Sequence, residues 1–365
     1  MKKLISLLIL VLLLSGCSDA KETVETQTAN DVSSTDSLDD NFYRIVKLDV
    51  YENRENYYTS FGNTSDFQTI GRELQALSTE YFSTSDYYLS EGQILGYSQI
   101  QELTRRSDDP DKYPYTIQSQ KGTSIGGVND PVMVSTVYEQ DYYQKSGDDY
   151  SLEGMALAIV IDPREADAST RLKTNMDESL IVDFGRESVS KLYAYIEHLS
   201  KEDDYKDLKD IPIFITVYYA TNTNESDIDG RYILKSYCNG SVGEIESLDY
   251  HTYLFTSSNA STYDEQTASQ FEIFKSNMKK AGVEAVGVVG YGKYQDGELQ
   301  SLKINVNTNV KTYTELLYLV ETAADEANSQ FGNDYPITIL VYSQDQLEAI
   351  IIKDKGEDAK SHLLN

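Results

Sequence analysis

The sequence predicts an α+β fold of two domains, each with a mostly antiparallel sheet against which helices pack. Three observations lead to this prediction. The chain has 365 residues, of which 40% are hydrophobic, and this is enough apolar surface for two cores. Most apolar segments alternate with the two-residue period of a strand, whereas a few repeat with the period of a helix. Both halves place these segments in the order β-β-α-β-β, which indicates either a duplicated unit or the chance reuse of a common arrangement.

The first 16 residues have the features of a signal peptide. Lys2 and Lys3 precede an apolar run that extends from Leu4 to Leu14 and has Ser6 as its polar member. A helix of this length measures about 16 Å, roughly half the hydrocarbon thickness of a bilayer, so it is too short to span a membrane. The run also lacks the polar face that a helix on a protein core would show. We therefore predict that residues 1–16 are removed.

The run ends in Leu14-Ser15-Gly16-Cys17, which is typical of a bacterial lipoprotein. We predict cleavage between Gly16 and Cys17 and a diacylglyceryl group on the Cys17 sulfur, since a thiolate is the nucleophile that this lipid transfer requires. Two acyl chains hold a protein stably on a membrane, whereas one holds it only marginally. The expected partners are therefore the membrane, through the lipid on Cys17, and the enzymes that process lipoproteins.

Residues 17–41 are predicted to be the lipidated cysteine followed by a disordered acidic tether. From Ser18 to Asn41 the chain has seven acidic residues and one basic residue, Lys21, among many serines and threonines. As a flexible coil these 24 residues would span about 27 Å. The folded part is therefore expected to lie close to the membrane.

The first predicted domain covers residues 42–245. After an extended start at 42–51, Ser65 and Gln68 form a capping box for a helix whose apolar residues recur at helical spacing. These residues are Phe67, Ile70, Leu74, Leu77 and Tyr81. An extended stretch at 87–95, a short helix at 98–106 and a polar loop at 107–131 follow. The β-β-α-β-β unit then comprises strands at 132–143 and 155–161, a helix at 187–200, and strands at 211–219 and 231–237.

The second predicted domain covers residues 246–365. It begins with a helix that carries Phe271, Phe274 and Met278 and is ended by Gly282. Its β-β-α-β-β unit comprises strands at 284–294 and 299–307, a helix at 312–331, and strands at 337–342 and 347–353. Two local signals support these bounds: Asp296-Gly297 favours a tight hairpin turn, and Thr312 with Glu315 forms a capping box.

The charge of the chain excludes nucleic acid as a partner. The sequence has 60 acidic and 31 basic residues and a net charge of −29. Polyanions, including anionic lipid headgroups, bind proteins through basic patches, and the sequence contains no such patch. The acidity is typical of a protein that stays soluble and is repelled by an anionic cell surface.

The two cysteines indicate an exported protein without an intramolecular disulfide. If Cys17 carries lipid, Cys238 has no cysteine left to pair with. Exported proteins with few disulfides are typical of Gram-positive bacteria. We therefore expect the chain on the extracellular face of a Gram-positive cell membrane.

No set of residues predicts a catalytic, cofactor or metal site. His198, His251 and His362 lie far apart in the sequence and lack the spacing of metal ligands. Cys238 with His251 is an alternative nucleophile and base, but a cysteine that follows a strand is more often a small buried apolar residue. We therefore expect the mature chain not to be an enzyme and to need no cofactor.

One acidic pattern resembles the start of a calcium loop. Glu225-x-Asp227-x-Asp229-Gly230 has the alternating carboxylates, yet its twelfth position is Ser236 and a strand follows where a helix is needed. We interpret the segment as a hairpin turn.

Gly287, Gly290 and Gly292 suggest a phosphate cradle, but they lie within a strand pattern and lack the third glycine of a GxGxxG motif. Close strand packing or a bulge explains them better. The tyrosine-rich segment 138–143 suits stacking on sugars or peptides, although amphipathic tyrosines at strand edges are the commoner case.

Several short segments occur in an order and spacing that are specific in combination. Besides the segment that ends in Cys17, they are Tyr88-Leu89-Ser90-Glu91-Gly92-Gln93-Ile94-Leu95, Glu139-Gln140-Asp141-Tyr142-Tyr143, Leu152-Glu153-Gly154-Met155, Asp207-Leu208-Lys209-Asp210-Ile211-Pro212-Ile213, Ser257-Ser258-Asn259-Ala260, Tyr263-Asp264, Phe271 and Phe274. Over nearly the whole chain this order resembles the CamS family of sex-pheromone lipoproteins of staphylococci, bacilli and their relatives. The loop between Arg106 and Pro131 departs most from the family pattern.

The resemblance implies a role for the signal peptide rather than for the mature lipoprotein, which has no assigned activity in that family. There the end of the signal peptide is trimmed to a small apolar peptide that induces plasmid-transfer responses in enterococci. The corresponding peptide here consists of Ile9, Leu10, Val11, Leu12, Leu13, Leu14, Ser15 and Gly16. Such a peptide can cross membranes because its side chains are uncharged and nearly all aliphatic.

Three functional hypotheses follow. The first is a non-enzymatic surface lipoprotein whose signal-peptide remnant acts as a pheromone. The second is an extracellular module that binds a peptide, a glycan or a cell-wall fragment in a cleft between the two halves, and a tyrosine-lined pocket there would favour it. The third is a hydrolase, which would need two carboxylates about 5 to 10 Å apart in a cleft.

Overall fold

The computed structural model describes residues 30–32, 42–47, 64–109, 111–170, 172, 176–220 and 230–364. Within these residues the chain forms two main sheets with helices packed against them, which confirms the predicted α+β class. The elements of the first half are, in chain order, β1 (Asn30–Val32), β2 (Arg44–Lys47), α1 (Thr64–Ser78), β3 (Tyr88–Glu91), α2 (Tyr97–Leu103), β4 (Ser124–Ile125), β5 (Val128–Asn129), β6 (Val132–Ser146), β7 (Asp149–Arg164), α3 (Glu178–Leu199), a 3-10 helix (Asp203–Leu208), β8 (Ile213–Tyr219), β9 (Arg231–Cys238) and β10 (Glu246–Ser247).

The second half follows the same alternation of strands and helices. Its elements are β11 (Tyr250–Leu254), α4 (Ser258–Tyr263), α5 (Glu265–Ala281), β12 (Gly287–Gln295), β13 (Glu298–Thr308), α6 (Tyr313–Gln330), β14 (Ile337–Ser343), β15 (Gln346–Lys353) and β16 (Lys360–Leu363). The first sheet has the strand order β1-β2-β3-β6-β7-β8-β9-β10, and the second has the order β11-β12-β13-β14-β15-β16. The short strands β4 and β5 form a separate ribbon.

The same β-β-α-β-β topology occurs in both sheets. In the first, β6 and β7 are antiparallel, α3 crosses over to β8, which lies parallel to β7, and β9 returns antiparallel. In the second, β12 and β13, the crossover helix α6, and β14 and β15 repeat these directions in the same strand order. The predicted unit is therefore present twice.

Two predicted helix bounds were wrong, one at the start of α3 and one at the end of α1. The helix predicted to begin at 187 begins at Glu178, because the Asp177 carboxylate accepts a hydrogen bond from the Ser179 backbone N–H at 2.9 Å and caps it. The first helix ends at Ser78, so Tyr81 lies beyond it.

The predicted tether and the predicted polar loop each contain some regular structure. Asn30–Val32, within the segment predicted to be disordered, forms β1 and pairs antiparallel with β2. Without β1, β2 would be the edge strand of the first sheet and would expose unpaired backbone groups, which explains why this segment can pair with it. The predicted loop at 107–131 contains the ribbon of β4 and β5.

Several local predictions in the second half are confirmed. Asp296 and Gly297 have φ values of +52° and +82° and join β12 to β13 in a two-residue turn. Thr312 and Glu315 form the capping box at the start of α6. Gly290 lies so close to α5 that an added Cβ would be 2.5 Å from the Phe271 ring, which is the close packing expected of this glycine.

The two sheets differ in how many of their faces are covered. Alternate residues of β7 belong to two different cores, one formed with α2 and α3 and the other with α1, so the first sheet is buried on both faces. In the second sheet, one face packs against α5 and α6. The opposite face carries half-buried and exposed residues, such as Lys293 and Lys303.

Among the described residues, no helix is both long enough and apolar enough to cross a membrane. The predicted signal peptide, the cleavage site between Gly16 and Cys17, and the lipidated Cys17 lie outside these residues. So do Glu225, Asp227 and Asp229.

Candidate functional site

A cleft lies where the second sheet meets α1 and β9 of the first half. Its cavity volume is about 360 Å³. The lining combines aromatic, hydroxyl, amide and charged side chains. The lining residues are Glu73, Ala76 and Leu77 from α1; Gly230, Arg231 and Tyr232 at the start of β9; Tyr250, His251 and Thr252 from β11; Lys293, Tyr294 and Gln295 from β12; and Gln300 and Ser301 from β13. The cleft is thus built from both halves, as the second functional hypothesis requires.

The charged groups of the cleft are paired with opposite charges. Lys293 Nζ donates to Glu73 Oε1 at 2.6 Å and links the second sheet to α1. Arg231 Nη2 donates to Glu178 Oε2 at 2.6 Å. The lining therefore offers little net charge to a ligand.

The imidazole of His251 also has an acidic partner. Its Nε2 lies 2.8 Å from Asp249 Oδ1. The ring stacks on Tyr253, whose own ring stacks on Tyr263 with centroids 4.3 Å apart. These side chains form an aromatic cluster beside the cleft.

The tyrosines of the cleft offer their rings to a ligand, because most of their hydroxyl groups already donate hydrogen bonds within the protein. Tyr232 is fully buried, and its hydroxyl donates to the Ile70 carbonyl at 2.8 Å. Tyr294 donates to Asp264 Oδ2 at 2.9 Å, and burial raises the pKa of its hydroxyl. Tyr250 is half-buried and packs against the core formed with α1. The lining can therefore accept apolar groups as well as neutral polar groups.

A second group of side chains, away from the cleft, is a buried pair of carboxylates on β6. Glu139 and Asp141 are 1% and 0% exposed and bind the backbone of the loop after β3. The Gln93 N–H donates to both, and the Ile94 and Leu95 N–H groups donate to Glu139 at 2.8 Å each. The pair holds this loop against the sheet.

Burial raises the pKa of both carboxyl groups, and the charge of Glu139 raises the pKa of Asp141 further, well above its usual value. The glycine before the bound amides is sterically required, because a Cβ at Gly92 would lie 2.5 Å from the Glu139 carboxyl carbon. The loop residues belong to segment 88–95 and the two carboxylates belong to segment 139–143, and both segments are among those that carry the family resemblance. Their contact in the structure explains why the two segments occur together.

The surroundings of Cys238 do not suit a nucleophile. The side chain is fully buried in the core formed with α3, and burial raises the pKa of its thiol, which disfavours the reactive thiolate. His251 pairs with Asp249 and lines the cleft. Cys238 therefore fits the interpretation as a small buried apolar residue.

The other histidines and the acidic residues form no metal site within the described segments. No group of three or more His, Cys, Asp or Glu side chains there is arranged to hold a metal ion. His198 lies in the last turn of α3 and stacks on Tyr115. His362 lies in β16.

Of the cleft residues, the sequence analysis named His251 and Gly230 as parts of candidate sites and missed the rest. Tyr250 and Thr252 carry no local signal, because the cleft exists only once α1 and β9 meet the second sheet. The buried carboxylates did have a signal, since acids at alternate positions of an otherwise apolar strand point to the same face.

Comparisons with known proteins agree with this fold. A family model described as CamS sex pheromone cAM373 precursor matches residues 51–359. The crystal structure of a sex pheromone precursor from Lactobacillus salivarius is 19% identical, has a TM-score of 0.77, and aligns over 90% of this chain and 97% of that one. The structure of the C-terminal domain of a sex pheromone staph-cAM373 precursor from Staphylococcus aureus is 20% identical, has a TM-score of 0.64, and aligns over 84% and 98%. No curated protein matches the chain.

Proposed function

This chain belongs to the family of CamS sex pheromone cAM373 precursors, and from this premise we propose that it is a lipid-anchored surface protein whose signal peptide yields a peptide pheromone. The observation that carries the proposal is family membership together with the segment Leu14-Ser15-Gly16-Cys17. Cleavage before Cys17 leaves peptide 9–16 at the end of the signal peptide. Its uncharged side chains suit passage across membranes.

Mass spectrometry of the mature amino terminus tests the anchor. We expect a mature chain that begins at Cys17 and carries a diacylglyceryl group on sulfur. A Cys17→Ser variant is the matched control and should remain uncleaved and without lipid. An unmodified Cys17 in the native protein would refute the anchor.

A synthetic peptide 9–16 tests the pheromone. We expect it to induce clumping or plasmid transfer in responsive recipient cells, whereas a scrambled peptide of the same composition should not. Since every lipoprotein leaves a comparable fragment, the scrambled control separates signalling from a general effect of apolar peptides. If the peptide induces neither clumping nor transfer of any tested plasmid, this part of the proposal is refuted.

We further propose that the folded part binds a ligand in the cleft and performs no catalysis. The cleft between the two halves, with its tyrosine, hydroxyl and amide lining, supports binding. The carboxylate pair Glu139 and Asp141 supports the proposed absence of catalysis, since both side chains are buried and accept hydrogen bonds from backbone N–H groups.

Thermal unfolding of the mature chain in the presence of peptides, glycans and cell-wall fragments tests the binding role. A ligand at 100 times its Kd stabilises the folded state by about 2.7 kcal/mol, which raises the Tm measurably. The same ligand should shift the Tm of a Tyr250→Ala variant less. The binding role fails if no compound from these classes raises the Tm.

A further inference from the structure

We propose that the cleft binds an extended peptide without charged side chains, which adds as a further strand to the open edge of β11. The inference rests on the binding role proposed above and names its ligand. It combines the hydrogen-bonding pattern of β11, the pairing of the charged groups, and the shape of the lining.

The hydrogen bonds of β11 leave half of its backbone groups facing the open edge. In the second sheet β11 is the terminal strand, and β12 is its neighbour. The Phe255 N–H donates to the Gly290 carbonyl, and the Asp296 N–H donates to the Asp249 carbonyl. In an antiparallel pair every second residue bonds to the neighbour, so the odd-numbered residues of β11 face β12. The N–H and C=O groups of Tyr250 and Thr252 therefore point away from β12.

These two residues lie within the cleft. Tyr250 and Thr252 both line it, and no described strand pairs with their outward edge. Two donors and two acceptors that alternate along an extended strand match the backbone of another extended chain. A saccharide has no such regular alternation, so the edge favours a peptide over a glycan.

The charges of the lining favour a ligand with neutral side chains. Lys293 is paired with Glu73, and Arg231 is paired with Glu178. A charged side chain entering the cleft would find these opposite charges already paired, so it would lose hydration without gaining a partner, which is costly. An uncharged side chain does not meet this obstacle.

The lining also provides places for the side chains of such a peptide. Side chains on one face of an added strand would project in the same direction as those of Tyr250 and Thr252. On the cleft side they would meet the apolar groups of Ala76 and Leu77. β-branched and other apolar residues suit this position, whereas a volume of about 360 Å³ limits the number that fit.

Amide hydrogen exchange of the mature chain with a defined probe tests the proposal. The probe is a heptapeptide of alternating valine and threonine with blocked termini. At saturation we expect the amides of Tyr250 and Thr252 to exchange at least tenfold more slowly, while those of His251 and Tyr253, which already bond to β12, change little. If the peptide binds but the even-numbered and odd-numbered amides of β11 are slowed alike, strand addition is overturned.

Variants and ligands of matched shape sharpen the test. Thr252→Pro removes one outward N–H without removing a bond to β12 and should weaken binding at least tenfold, whereas Thr252→Val keeps the N–H and should bind as the native chain does. A peptide with glutamate or lysine in place of threonine should bind at least tenfold more weakly. Equal binding of the charged peptides would overturn the requirement for neutral side chains.

A neutral N-acetylated disaccharide distinguishes the failure of this inference from the failure of the proposed function. If the disaccharide binds at the cleft and the heptapeptide does not, the binding role stands and the peptide inference is overturned. If neither binds and no other compound raises the Tm, both are overturned.

Discussion

Glu139 and Asp141 lie two residues apart on β6, yet they accept different numbers of hydrogen bonds. Burial raises the pKa of each carboxyl group, and the charge of Glu139 raises the pKa of Asp141 further. Glu139 accepts from the backbone N–H groups of Gln93, Ile94 and Leu95 through both of its oxygens, whereas Asp141 accepts from the Gln93 N–H through Oδ2. A neutral replacement should therefore be tolerated at one position and harmful at the other.

We expect Glu139→Gln to lower the free energy of unfolding by about 2 to 3 kcal/mol, since one of the two accepting oxygens becomes an NH2 group and leaves a buried backbone N–H without an acceptor. Asp141→Asn, which keeps an acceptor for the Gln93 N–H, should cost less than about 1 kcal/mol. Chemical denaturation at pH 7 measures both. Equal losses would show that the additional hydrogen bonds accepted by Glu139 do not contribute to stability.

The same pair predicts a pH dependence. Because the pKa of Asp141 is raised on folding, the folded chain holds a proton that the unfolded chain has lost once the pH exceeds about 4. The contribution of Asp141 to stability is thus fully present below that pH and declines as the pH rises toward the raised pKa. The stability of Asp141→Asn relative to the native chain should therefore increase between pH 4 and pH 7. Denaturation at several pH values checks this, and a constant difference would contradict it.

The sequence predicts these residue-scale features unevenly. The turn at Asp296 and Gly297 was predictable, because few residue pairs adopt two successive positive φ values readily. The outward N–H of Thr252 was not, since it depends on which neighbour β11 pairs with. Cleft residues likewise come from five elements, which extend along the chain from α1 to β13.

At the scale of elements, close packing between β12 and α5 depends on a glycine. An added Cβ at Gly290 would lie 2.5 Å from the Phe271 ring, whereas one at Gly287 on the same strand would meet no atom closer than 3.7 Å. We expect Gly290→Ala to cost about 1 to 3 kcal/mol through overpacking. Gly287→Ala should be neutral or slightly stabilising. Thermal unfolding of both variants checks the prediction, which fails if the two substitutions have the same effect.

Except for β7, which begins at Asp149 rather than at the predicted 155, the strands of the two units were predicted more closely than the start of α3, and the reason is physical. The strands of both β-β-α-β-β units alternate buried and exposed residues or form continuous apolar runs, and these patterns extend over their whole length. The start of α3 depends on one capping side chain, Asp177, which is followed by Glu178 and Ser179 and then by the short apolar run Leu180-Ile181-Val182. A single cap before a short apolar run is a weaker signal than a long apolar pattern.

At the scale of the whole molecule, each half has its own core. The second sheet, with α5 and α6, buries a cluster of its own residues. The strand β10 pairs with β9, and β11 pairs with β12, so the change of sheet falls between Ser247 and Tyr250. The ion pair of Lys293 and Glu73 links the halves, but its side chains are 43% and 30% exposed, and such a pair contributes at most about 1 kcal/mol.

We therefore expect a fragment of residues 248–365 to fold on its own. It retains the whole second sheet and both helices that cover it, and it loses few strong contacts with the first half. A fragment of residues 256–365 is the matched comparison: it lacks β11 and Phe255, a ring that stacks on Phe271, and should be less stable. Urea denaturation followed by circular dichroism measures both. A longer fragment without a cooperative transition would show that the second core requires the first half, because two-state unfolding is the expected behaviour of an independent domain of this size.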